Sequence, residues 1–116
     1  MKALVLDDND QNRQLLADLL VKRGVEVTEA TTGEEAVGRI TQDTDLCIID
    51  IRLPGMDGYA VAEAIKEKYP AIRLIAYTAS VLKEERNTLS VSKLFDDILV
   101  KPVKISDFED VIGPLI

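Results

Sequence analysis

Hydrophobic positions in this chain follow two rhythms that alternate from one end to the other. Short apolar runs at 3–6, 25–30, 46–49, 72–76 and 98–100 read as strands. Between them, apolar side chains return every three or four residues, the spacing of a helix with one buried face. Within 10–23, Leu15, Leu16, Leu19 and Leu20 form such a stripe, and Gly24 stands where a helix end requires a positive φ. Val25 and Val27 before Thr28 predict a more exposed, edge-like strand. Thr32-Gly33-Glu34-Glu35 has the spacing of a capping box, with Ala36, Val37 and Ile40 as the buried stripe behind it. A helix over 58–68 is expected to turn Ala60, Val61, Ala64 and Ile65 inward and to stop at Pro70. A last helix carries Ile105, Phe108, Ile112 and Leu115. Residues 81–94 fit least well: Val81, Leu82, Leu89 and Val91 do not line one face. The fourth helix is therefore expected to be short, irregular or mobile, with regulation acting through it.

Five strands alternating with helices in 116 residues predict an α/β fold, a parallel sheet covered on both faces. Right-handed crossovers narrow this to a doubly wound, flavodoxin-like order 2-1-3-4-5 in one domain over 1–116. In such sheets ligands bind beyond the carboxyl ends of the strands, at the switch point between the first and third. Here those ends carry Asp7-Asp8, Asp50, Tyr77-Thr78-Ala79 and Lys101-Pro102. Like charges about 4 Å apart repel by roughly 4 kcal/mol per pair at an effective dielectric of about 20. Three converging carboxylates thus call for a proton or a cation, and an all-oxygen set suits Mg²⁺ or Mn²⁺. Lys101 adds a positive charge and Thr78 a neutral donor, so a phosphoryl group on Asp50 would meet all three.

Composition excludes several other chemistries. With 14 Lys plus Arg against 21 Asp plus Glu, the net charge of −7 argues against direct nucleic-acid binding. The chain has no histidine, so neither a His-based triad nor a His metal site is available. The single cysteine, Cys47, lies inside an apolar run and reads as a small buried hydrophobe. Together with the lack of a membrane-length apolar run, it fits a cytoplasmic protein.

Asp7-Asp8, Asp50 followed by Leu53-Pro54-Gly55-Met56-Asp57-Gly58, Thr78-Ala79 and Lys101-Pro102 resemble the receiver domain of bacterial two-component response regulators. The resemblance covers essentially the whole chain, in order and in spacing. It implies that Asp50 takes a phosphoryl group from a phosphohistidine on a sensor histidine kinase or histidine phosphotransfer protein. The domain would catalyse its own phosphorylation and dephosphorylation and shift between inactive and active conformations. It further implies Mg²⁺ held by Asp8, Asp50 and the backbone carbonyl of Arg52, with Asp7 assisting through water. Thr78 would bond one phosphoryl oxygen and Lys101 another, and the Lys101-Pro102 peptide would be cis. Gly55 and Gly58 would let the loop turn tightly beside the metal. Arg52 and Ser80 would flank the path of hydrolytic water, Arg52 shielding the phosphoryl group. A homodimer would use the fourth helix, fifth strand and fifth helix.

Two positions depart from the family pattern. Ile98 stands where an aromatic switch residue is common, leaving Phe95 and Tyr77 as core residues. Ser92-Lys93-Leu94-Phe95 lacks the glycine that usually ends the fourth helix. Alternatives are a phosphorylation-independent, receiver-like binding module and the receiver segment of a hybrid sensor kinase. A haloacid-dehalogenase-type phosphatase needs a second acid where Arg52 stands, and Asp7-Asp8-Asn9-Asp10 would repel a flavin phosphate.

Overall fold

The computed structural model describes residues 1–53, 56–79 and 94–116. Strands β1 (Lys2–Leu6), β2 (Glu26–Ala30), β3 (Leu46–Asp50), β4 (Arg73–Thr78) and β5 (Asp97–Val100) form one parallel sheet ordered β2-β1-β3-β4-β5. This is the expected doubly wound order. The described helices are α1 (Asp10–Lys22), α2 (Gly33–Arg39), α3 (Gly58–Lys68) and α4 (Ile105–Val111), followed by a 3-10 turn at Gly113–Leu115. Expectations for 81–93, Pro54, Gly55 and Ser80 lie outside the described residues.

The strands sort their side chains by alternation onto two faces. Leu4, Leu6, Cys47, Ile49, Leu74 and Ala76 point to one face, packed with Val61, Ala62 and Ile65 of α3 and Ala36 of α2. Val5, Ile48, Ile75, Tyr77 and Leu99 point to the other, packed with Leu16 and Leu20 of α1 and Phe108 of α4. β3 is buried at every position, as its unbroken apolar run requires, whereas β2 alternates as an edge strand should. Cys47 is fully buried, and burial pushes its thiol well up, so it remains a protonated apolar filler.

Three helices bury the centre of the expected stripe, Leu16 and Leu20, Val61 and Ile65, and Phe108 and Ile112, but not all of its flanks. Leu15 is 40% exposed while Leu16, Ala17 and Leu20 are buried. On α3 the buried alanine is Ala62, and Ala60 and Ala64 face outward. Ile105 is 69% exposed at the start of α4. Each helical residue turns about 100° from the last, so a run richer in apolar residues than its buried stripe needs leaves the edges of that stripe undetermined. The sheet chooses the edges.

The ends of the elements are set locally. Gly24 has φ +80°, and the N–H groups of Gly24 and Val25 donate to Val21 and Leu20, closing α1 in a Schellman motif. Thr32 caps α2 by accepting from the Glu35 N–H at 3.1 Å. The reciprocal bond of the capping box is shifted toward Thr31, whose N–H donates to Glu35 Oε1 at 3.1 Å.

Asp57 caps α3, accepting from the Tyr59 N–H at 2.9 Å, and the helix begins hard against the end of β3. A Cβ on Gly58 would lie 2.5 Å from the Asp50 carbonyl oxygen and 2.5 Å from Ile51 Cα. Close approach, rather than turn geometry, is why this position is glycine; its φ is not in the left-handed region. Both clashing atoms are backbone and cannot swing aside. Gly58→Ala is therefore expected to lower the stability to urea by about 1–3 kcal/mol. An unchanged unfolding midpoint would show that α3 is not seated this closely.

Candidate functional site

The parallel register assembles the site. Leu6 pairs with Ile49, so the next residues, Asp7 and Asp50, emerge side by side at the carboxyl edge of β1 and β3. Thr78 pairs with Val100, and the Lys101 N–H donates to the Thr78 carbonyl at 2.7 Å, fixing where the lysine leaves β5. The Lys101-Pro102 peptide is cis.

Asp7 and Thr78 are buried, and Asp50 is 4% exposed. Lys101 Nζ lies 2.8 Å from Asp7 Oδ2 and 2.9 Å from Asp50 Oδ2, with only 9% of its side chain exposed. Asp50 Oδ1 accepts from the Arg52 N–H at 2.9 Å, and Asp7 Oδ1 accepts from the Asn9 N–H at 2.9 Å. Asn9 also caps α1, so the loop that carries the acids is tied to the helix that follows. Carboxylate oxygens of Asp7, Asp8 and Asp50 all lie within 4.8 Å of one another, Asp8 being the exposed member.

Every proposed site residue within the described chain is thus near this edge. Asp7, Asp8, Asp50 and Lys101 converge directly, and Thr78 ends the neighbouring strand. Arg52 contributes its backbone N–H to Asp50, and its side chain is exposed. Phe95 packs edge-to-face on Tyr59, with centroids 5.8 Å apart, and Ile98 is half-buried against the same core. Tyr77 is a core residue, as expected, but it also has a position at the site that its place in the chain does not announce. Its ring lies beneath Lys101, 5.1 Å from Nζ to the centroid, where the ammonium meets the negative π face. Burial pushes its hydroxyl up to about 12, so it remains neutral. No local spacing signals this contact, because β4 and the end of β5 meet only in the folded sheet.

The donor set fits a hard divalent cation. It is all oxygen, and Asp7 Oδ2, buried and beside the ammonium, receives no well-directed hydrogen bond from any described group. Burial pushes the Asp7 carboxyl above its ordinary 3.8, outweighing the Lys101 ammonium and the Asn9 N–H, while the Asp50 charge adds to the rise. An acid with a raised folded-state pKa contributes stability below its unfolded pKa and loses it as pH rises through the folded value. In metal-free protein, Asp7→Asn is therefore expected to be more stable than wild type at neutral pH. The gap should close on acidification below about 3.8. Mg²⁺ should reverse the order by stabilising wild type more. Urea unfolding across pH, with chelator and with Mg²⁺, checks this; equal stabilities at neutral pH without metal would contradict it.

The family model described as the response regulator receiver domain matches residues 3–113. The chain belongs to this family and has its phosphoacceptor role in two-component signalling. It is 34% identical to hybrid signal transduction histidine kinase L of Dictyostelium discoideum, over 96% of this chain and 7% of that protein. It is 34% identical to the sensor protein GacS of Pseudomonas syringae, over 88% of this chain and 12% of that protein. The chain thus spans about a tenth of the length of these relatives. Among solved structures it resembles the response regulator TrrA of Thermotoga maritima in complex with Mg²⁺ and BeF, at TM-score 0.85 and 33% identity, covering 99% and 98% of the two chains. Among the described residues, no helix is long and apolar enough to cross a membrane.

Proposed function

We propose that Asp50 is the residue that accepts the phosphoryl group and that it holds Mg²⁺ together with Asp8 and the Arg52 carbonyl, Asp7 assisting. The observation that carries this reading is Asp50 itself, a nearly buried carboxylate 2.9 Å from an ammonium and clustered with two further acids. The Arg52 N–H holds Asp50 Oδ1, which leaves Oδ2 to attack phosphorus once Lys101 shifts to the incoming group. Lys101 then neutralises one equatorial oxygen and Thr78 hydrogen-bonds another. Mg²⁺, when bound, supplies the remaining charge neutralisation.

The phosphodonor is a phosphohistidine on a sensor histidine kinase or a histidine phosphotransfer protein, whose P–N bond breaks as the Asp50 Oδ2–P bond forms, leaving histidine on the donor. The sensor and hybrid kinases among the relatives support this partner, and they also support reading the chain as a receiver segment of such a kinase. Incubation with acetyl phosphate and Mg²⁺ tests the proposal. Metal-dependent incorporation of one acid-stable, hydroxylamine-labile phosphoryl group per chain is expected. Absence of incorporation, with beryllofluoride also failing to bind, would overturn the assignment of Asp50 and its metal ligands.

A further inference from the structure

We propose that Arg13, on the first turns of α1, is a positioning residue for the metal site, an inference that rests on the Mg²⁺ reading above. Its guanidinium reaches three acceptors, one in the loop after β1, one on its own helix and one on β2. Nη1 donates to the Asp7 carbonyl at 2.9 Å, Nη2 to Asp10 Oδ1 at 2.7 Å and Nε to Glu29 Oε1 at 3.0 Å. Only 14% of the side chain is exposed. One planar group therefore ties α1, the end of β1 and the outer strand β2.

The Asp7 carbonyl is the informative partner. It belongs to the peptide that joins Asp7 to Asp8, and a peptide is planar, so holding that oxygen also orients the nitrogen and Cα of Asp8. Asp8 is exposed, whereas Asp7 and Asp50 are buried, so burial constrains it least of the three acids. Arg13 supplies a constraint from below the loop.

An unpaired arginine so near a cation site would repel the ion. Here the carboxylates of Asp10 and Glu29 cancel its charge and leave the local sum negative. What remains is geometric: a rigid fork that fixes the loop before the ion arrives. Lysine cannot substitute, because a single ammonium on a flexible stem does not meet three acceptors at fixed angles. Partners that orient metal ligands from behind change affinity by about 10–100-fold.

The test is Mg²⁺ titration by calorimetry, with amide exchange at Asp8 and Asn9 measured in metal-free protein. Wild type is compared with Arg13→Ala, Arg13→Lys and Gly24→Ala. The last disturbs the far end of α1 and serves as a destabilised control. Both Arg13 variants are expected to bind Mg²⁺ about 10-fold more weakly or worse, with faster exchange at Asp8 and Asn9. Gly24→Ala should keep wild-type affinity and exchange there. Wild-type affinity in Arg13→Ala, or equal weakening in Gly24→Ala, overturns the proposal. Should Arg13→Ala not fold, Arg13→Lys decides by the same criteria. Wild type that takes no Mg²⁺ would defeat the metal reading instead, and exchange in metal-free protein would still show whether Arg13 holds the loop.

Discussion

Asp50→Asn is expected to reduce phosphoryl incorporation from acetyl phosphate to background, a loss on the order of 10⁴-fold or more, as when a covalent nucleophile is removed. An amide is close in shape to a carboxylate but has no nucleophilic oxygen. Its carbonyl can still accept from the Arg52 N–H, as Asp50 Oδ1 does at 2.9 Å, so the loop after β3 should remain in place. β3 is buried along its length and does not depend on this charge for its packing. The variant should therefore fold with an unchanged circular dichroism spectrum while failing to label. Mg²⁺ affinity should also fall, since one of three clustered acids is gone. Labelling that persisted in Asp50→Asn would mean that Asp7 or Asp8 takes the phosphoryl group, and the proposed assignment would have to be exchanged for that one.

Lys101→Ala should affect both stability and chemistry. In the metal-free protein its ammonium bridges Asp7 Oδ2 and Asp50 Oδ2 at 2.8 and 2.9 Å, largely out of solvent. Removing it leaves two buried carboxylates facing each other. Loss of one partner from a buried ionic cluster costs about 3–5 kcal/mol. Protonation limits that cost, because Asp7 already has a carboxyl pushed upward by burial and can take a proton more readily than an exposed acid. Destabilisation should accordingly be largest at neutral pH, shrink on acidification and shrink again when Mg²⁺ is added. Phosphorylation at saturating Mg²⁺ should still fall by about 10²-fold, the scale of removing one preorganised donor from developing negative charge. Urea unfolding and initial labelling rates measure the two effects separately. A variant as stable as wild type in chelator would show that the lysine does not hold the acids together.

Much of the site was legible in order because each of its residues ends a strand. Asp7, Asp50, Thr78 and Lys101 each follow an apolar run, and the parallel fold implied by strand–helix alternation brings such ends to one edge. Gly24 and the Thr32 cap were legible for a different reason, since both are satisfied within a few residues of backbone. The edges of the helix faces were not. Leu15, Ala60, Ala64 and Ile105 are as apolar as the residues that are buried, and only contact with the sheet separates them.

The amino-acid order by itself determined the strand–helix alternation, the doubly wound sheet and the identity of the acids, hydroxyl and lysine that meet at its edge. These depend on periodicity and on local punctuation, which are properties of neighbours in the chain. Tertiary structure alone decided which flanking apolar positions of α1, α3 and α4 are covered, the seat of Gly58 against Asp50 and Ile51, and the ring of Tyr77 beneath Lys101. It also decided the three-way grip of Arg13 on Asp7, Asp10 and Glu29. All four depend on contacts between different elements, whose distances are set by how the layers pack.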